Sequence, residues 1–142
     1  METDLIIETR EKASDLFNKN YNAFIAVQPR VVTIQDEAFT LYSFEKMIAI
    51  TNIDGLEVSE ARALKAYVKT LKTILGPTMY DQKGKHWSML MLSSSITIGS
   101  NTEGDLLFID RHDSKTLYIF RHDDGSLFKT KWTLNKLIKA YS

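Results

Sequence analysis

From Ile96 to Asp124 the chain alternates short apolar runs with turn-forming residues, and none of these runs is long enough to be a helix. Ile96 and Ile98 alternate with Ser95 and Thr97, the period of two that gives a strand one buried face. Gly99 and Gly104 then bracket Ser100, Asn101, Thr102 and Glu103. Glycine suits a backbone that needs positive φ or close approach, and the polar side chains between can bond the loop's own backbone. Asp105 opens the run Leu106-Leu107-Phe108-Ile109, which fits a central strand. A turn at His112-Asp113-Ser114 leads into Thr116 to Phe120, and Asp124-Gly125 is a type I′ hairpin signal before Leu127 to Trp132. Strands joined this way form an antiparallel meander.

Elsewhere the pattern mixes helix and strand. Ile6, Ala13, Leu16, Phe17, Tyr21 and Phe24 repeat at helical spacing and predict an amphipathic surface helix over residues 4 to about 24. Arg30 to Ile34 and Phe39 to Tyr42 are strand candidates turning at Gln35-Asp36. Ser43 can cap a short helix over Phe44 to Ile50, which Asn52 to Gly55 breaks. Ser59 can cap a longer one carrying Ala61, Leu64, Val68, Leu71 and Leu75, stopped by Gly76-Pro77. Lys85 to Leu92 reads as another strand, with Trp87, Met89 and Met91 on one face. Thr133 caps a last helix bearing Leu134, Leu137, Ile138 and Tyr141. Helices segregate from consecutive strands, so the expected class is α+β: a mainly antiparallel sheet of about five to six strands with helices packed on one face.

At 142 residues a single domain spanning 1–142 can bury about 68–70% of its unfolded surface without staples. Eighteen basic and eighteen acidic residues cancel, so there is no global field to recruit nucleic acid or an anionic membrane, only room for a local patch. The absence of cysteine excludes disulfides, a thiolate nucleophile and cysteine-based zinc sites. The start Met-Glu-Thr-Asp is acidic where a signal peptide would be basic, and no apolar run approaches the roughly 20 residues that span a bilayer. A cytoplasmic protein without a membrane partner is expected.

The turn residues also carry a resemblance. Ile98-Gly99-Ser100, then Gly104-Asp105 with Leu106-Leu107-Phe108 behind it, then Tyr118, Phe120 and His122-Asp123, then Thr133-Leu134 with Leu137 and Ile138, are similar to the pattern of the SUKH superfamily. That superfamily joins fungal cell-wall-synthesis regulators to bacterial toxin-immunity proteins. The resemblance covers about the last 45 residues. Upstream, Phe39 to Ser43 is similar to the family's strand-then-helix segment. The N-terminal Leu-Pro and Asn-Gly signature is missing, and Tyr21 and Phe24 stand where its aromatic residues would be. The resemblance implies a non-enzymatic module that recognises a protein partner, such as a toxin domain, without a cofactor. In such a module the loop-tip residues Asn101, Glu103, Asp105, Asp123 and Asp124 would face the partner, with Asp110 and Asp113 nearby and Trp87 or Tyr118 as aromatic anchors. Gly99, Gly104, Phe108, Tyr118 and Trp132 would hold the motif together.

Arg-His-Asp occurs twice, at 111–113 and 121–123, and a His/Asp pair can serve acid–base work or a metal. Charged turns on a solvated rim explain both better, since only His86 is left as a third imidazole. Gly99 to Gly104 spans the spacing of a phosphate loop but lacks the Lys-Ser/Thr that should follow. Ser93-Ser94-Ser95 lies in no G-x-S-x-G elbow and reads as a bend or the polar face of a strand. Arg62, Lys65, Lys69 and Lys72 give the second long helix a basic face, most simply a solvated one. No catalytic, cofactor-binding or metal residue is therefore assigned. The alternatives are a small-molecule binder or enzyme using the Gly99–Gly104 loop and the His/Asp turns, and nucleic-acid binding through helix 59–75.

Overall fold

The structure, a computed structural model, describes residues 30–75, 78–110 and 116–141. The helix expected over residues 4–24, the Gly76-Pro77 stop and the His112-Asp113 turn lie outside the described residues.

Strands β1 (Arg30–Ile34) and β2 (Glu37–Leu41) form a hairpin over Gln35 and Asp36, which both adopt positive φ (51° and 67°) as a type I′ turn requires. Helix α1 (Phe44–Ile48) starts at Ser43, whose hydroxyl accepts from the Lys46 amide at 3.2 Å. It ends at Ile48, two residues short of the expected end, because Ile50 already belongs to a second hairpin. In that hairpin β3 (Ile50–Ile53) pairs with β4 (Leu56–Ser59) across Asp54-Gly55. Asp54 and Gly55 have φ of 52° and 86°, so the dipeptide read as a helix breaker is itself a hairpin turn. A 3₁₀ turn (Glu60–Arg62) then leads into α2 (Ala63–Leu75).

The expected strand from Lys85 to Leu92 is corrected. Only β6 (His86–Ser88) is extended, and it pairs with β5 (Thr78–Tyr80) in a separate ribbon. At Ser88 the chain turns into α3 (Met89–Ser93), with the Ser88 hydroxyl accepting from the Met91 amide at 3.1 Å. Met89 and Leu92 face inward at helical spacing while Leu90 is 76% exposed. The serine run ends this helix. The hydroxyls of Ser93, Ser94 and Ser95 donate to the carbonyls of Met89, Leu90 and Met91, so they are spent on the backbone.

Strands β7 (Ile96–Ser100), β8 (Leu106–Ile109), β9 (Thr116–Phe120) and β10 (Leu127–Thr133) form the expected meander, and α4 (Leu134–Tyr141) follows. The first hairpin joins through β2 and β7, giving one six-stranded antiparallel sheet in the order β1-β2-β7-β8-β9-β10, curled into a half-barrel. The class is α+β.

Side chains alternate between two cores. Ile96, Ile98, Leu107, Ile109, Leu117 and Ile119 meet Val32, Ile34, Phe39 and Leu41 on one face, joined by Met47 of α1 and by Leu134 and Leu137 of α4. Leu106, Phe108, Tyr118 and Phe120 point to the other face, against Leu64, Val68 and Leu71 of α2 and against Trp87, Met89 and Leu92. All four residues of β8 are buried, which is why its sequence is apolar without a break.

Candidate functional site

Pairing of β8 with β9 sets Leu106 opposite Phe120, so the loop before β8 and the turn after β9 meet at one end of the sheet. The loop closes on itself. The Asn101 side-chain oxygen accepts from the amides of Glu103 (3.0 Å) and Asp105 (2.9 Å), and the Asn101 amide and carbonyl bond Asp105 and Gly104. Gly104 completes the turn at φ +90°, a conformation that side chains resist. At the other glycine the reason is close approach: a Cβ on Gly99 would stand 2.7 Å from the Thr40 carbonyl oxygen of β2, where the β7–β8 register shifts. The amides of Asn101, Glu103, Gly104 and Asp105 are thus already bonded within the loop and not free to cradle a phosphate.

Asp105 joins the two segments. Its side chain is buried, and Oδ2 accepts from Arg121 Nη1 (2.8 Å) and Asn101 Nδ2 (3.1 Å). Oδ1 accepts from the His122 amide (3.2 Å) and lies 3.0 Å from His122 Nδ1. Burial by itself would raise its pKa, but the bonds from Arg121, Asn101 and His122 outweigh it and hold the carboxyl at about 2. Arg121 Nη1 also reaches Glu37 Oε2 at 2.7 Å, and the guanidinium lies over the Phe128 ring. One ion network thereby ties β2, the loop and the turn together. In the turn, the exposed Asp124 accepts from the amide and hydroxyl of Ser126 (2.9 and 2.5 Å), which lowers its pKa.

The placement separates the expected partner-facing residues into two sets. Asp105 turns inward and Asn101 spends its amide group on the loop, whereas Glu103, Asp123 and Asp124 are exposed. Asp123 and Asp124, with His122, border a cavity of about 280 Å³ whose other walls are Asp54 of the β3–β4 turn and Tyr67, Thr70 and Leu71 of α2. The rings of Tyr67 and Phe120, tilted at 44° with centroids 5.4 Å apart, also line it, and the Tyr67 pKa is raised by burial, then by the charges of Asp54 and Glu60. Nothing in the local spacing of Asp54 or Tyr67 signalled this pocket, because α2 brings them to the turn from far away in the chain. Arg121, expected as a charged residue on a solvated rim, is instead bound into the Asp105 network, and nothing in the sequence around Glu37 pointed to it as its partner.

A second polar cluster lies beneath the β5–β6 ribbon. Asp81 accepts from the amides of Lys83 and Lys85 and from Trp87 Nε1 (3.1 Å). Lys85 Nζ reaches Asp110 (3.4 Å) and the Tyr118 hydroxyl (3.5 Å), and lies 4.4 Å from the centre of the Trp87 ring. Burial would lower the Lys85 pKa, but Tyr118 and Asp110 outweigh that and raise it. Trp87 and Tyr118 are fully buried here, stacked edge-on at 4.9 Å, so they serve the core and offer no surface to a partner. Phe108 stacks on Tyr118, and Trp132 packs half-buried against the first core. Asp110 is buried as well. His86 is exposed beside Tyr80. Arg62, expected on a basic helix face, is buried and donates to the Ser93 carbonyl at 2.8 Å, while Lys65 and Lys69 are exposed.

Among the described residues no group of three or more His, Cys, Asp or Glu could hold a metal ion, and no helix is long and apolar enough to cross a membrane. No family model, curated protein or solved structure matches the chain.

Proposed function

We propose that this chain is a non-enzymatic protein-binding module that recognises a basic partner. It would act in the manner of the toxin-immunity and cell-wall-regulator proteins of the SUKH superfamily, which its C-terminal segment resembles. The observation that carries the reading is the Asp105 network. It pins the 101–105 loop and the 121–126 turn to each other and leaves Glu103, Asp123 and Asp124 exposed above them. Carboxylates held on rigid loops lose little entropy when a partner binds, and their charge favours lysine and arginine. The neighbouring cavity adds Asp54 and the Tyr67–Phe120 ring pair, a combination that suits an inserted cationic side chain.

The test is to search the genes flanking this one for a toxin domain and to titrate the chain with the domain found, by calorimetry at two salt concentrations. The reading expects a salt-sensitive complex that the double reversal Asp123→Lys/Asp124→Lys weakens by about tenfold or more, mostly through the association rate. Both carboxylates are exposed, so an unchanged urea midpoint will show that the variant is folded. Absence of a complex, or a complex indifferent to the reversal, overturns the reading.

A further inference from the structure

The imidazole at the start of the 121–126 turn is held by a buried charge. Asp105 is ionised against Arg121, whose Nη1 lies 2.8 Å from Oδ2. A carboxylate only accepts, so Asp105 Oδ1, 3.0 Å from His122 Nδ1, takes a hydrogen bond from a proton on that nitrogen. Gly104 packs on the same ring: a Cβ there would stand 3.5 Å from both Cε1 and Nδ1. Orientation and tautomer are thus fixed, and the nitrogen left over is Nε2, an acceptor in the neutral ring. The His122 side chain stays 39% exposed and borders the cavity of about 280 Å³ between this turn, α2 and the β3–β4 turn.

The cavity is lined for a donor. Asp123 and Asp124 share the His122 wall, and Asp54 stands across from them beside Thr70. Asp123 has no bonded partner among the described residues, and none of the described residues lining the cavity is a lysine or arginine. Leu71 and Phe120 close its buried side. An anion there would face three carboxylates and the lone pair of Nε2. The volume falls just below the roughly 300–1,000 Å³ of drug-sized ligand sites, so the occupant is a single side chain or a small amine. Lysine brings a compact, strongly hydrated point charge. Arginine brings five N–H donors in a planar fork and no acceptor, and can bond acceptors on both walls at once.

We propose that this cavity takes an arginine side chain of the partner, with His122 Nε2 as the acceptor that selects guanidinium over ammonium and Asp105 as the residue that positions it. The inference rests on the reading of this turn as a partner-binding surface and names the side chain that the surface recognises. A protonated ring would donate at both nitrogens and add a cation to the cavity, so acid weakens the arginine complex. The charged and titratable groups around the ring are Asp105 of the loop, Arg121, Asp123 and Asp124 of the turn, Asp54 of the hairpin and Tyr67 of α2. Between about pH 5.5 and pH 8 carboxylates, guanidinium and phenol keep their charge, and only an imidazole changes.

The experiment titrates the intact chain, with no partner present, with N-acetyl-arginine amide and with N-acetyl-lysine amide, followed by NMR of the backbone amides and imidazole nitrogens. Expected are saturable shifts at Asp54 and across residues 122–125, with the arginine probe about fivefold or more tighter than the lysine probe at about pH 8. That preference should vanish at about pH 5.5, and the free chain at about pH 8 should show the proton on Nδ1 and a bare Nε2. His122→Phe keeps a ring without the acceptor and should bring the arginine probe to the lysine affinity at both pH values, its fold checked by the urea midpoint. Asp54→Asn lies on the opposite wall, outside the Asp105 network, at a φ of 52° that asparagine accepts, and should weaken the arginine probe about fivefold. The inference is overturned if neither probe shifts the cavity residues, if lysine binds as tightly as arginine at about pH 8, if the free chain carries the proton on Nε2, or if His122→Phe keeps the preference. The partner titration fails separately: a partner complex indifferent to His122→Phe overturns this inference and not the reading of function.

Discussion

Asp105 is 3% exposed and accepts bonds from Arg121, Asn101 and the His122 amide. Replacing it with asparagine keeps the shape but removes the charge and puts an NH₂ where donors already converge. Asp105→Asn should therefore cost about 2–3 kcal/mol, read as a lower urea midpoint with an unchanged slope. The two glycines of the loop fail for different reasons. Gly104→Ala forces an alanine into φ +90° beside the His122 ring, at ordinary contact distance, and should cost about 1 kcal/mol. Gly99→Ala drives a methyl into the β2 backbone, which cannot swing away as a side chain could, and should cost more, about 1–3 kcal/mol. A thermal melt in which Gly99→Ala is no less stable than Gly104→Ala would show that β2 gives way at no cost. The sequence marked both positions as special, but only pairing with β2 supplied the atom that Gly99 avoids.

At the scale of elements, the meander was legible because each strand is bounded by its own turn chemistry, but the turn at Asp124-Gly125 is not the expected type I′ hairpin: of the pair only Gly125 has positive φ, and the loop runs from Arg121 to Ser126. The same chemistry at Asp54-Gly55 reads locally as a helix breaker, since Asn52 to Gly55 follows directly on the helical run from Phe44 to Ile50. The stretch Trp87 to Leu92 is ambiguous in another way: every second residue is apolar, and so are residues at helical spacing. Ser88 tips the balance by capping α3. Ser88→Ala should cost about 1 kcal/mol, and the loss should appear as faster amide exchange over residues 89–93, because the rest of the fold does not depend on that cap. Uniform exchange across α3 and β7 would instead mean that the cap holds more than its own helix.

The whole molecule responds to acid through Asp105. Its folded pKa of about 2 lies below the 3.8 of a free aspartate side chain, so its stabilisation is complete above about pH 4 and is lost as pH falls towards 2. That difference corresponds to about 2 kcal/mol. Urea midpoints should fall between pH 5 and pH 2 more steeply for the natural chain than for Asp105→Asn, and parallel curves would place the acid sensitivity elsewhere. The sequence by itself determined the antiparallel meander, the α+β class, the neutral total charge and the two glycine positions, because periodicity, turn chemistry and composition are properties of neighbouring residues. Only the tertiary structure decided that Asp105 turns inward while Asp123 and Asp124 stay out, and that Trp87 and Tyr118 fill a core. Each of those outcomes depends on which distant segment comes to lie against a residue, and a local pattern carries no information about that.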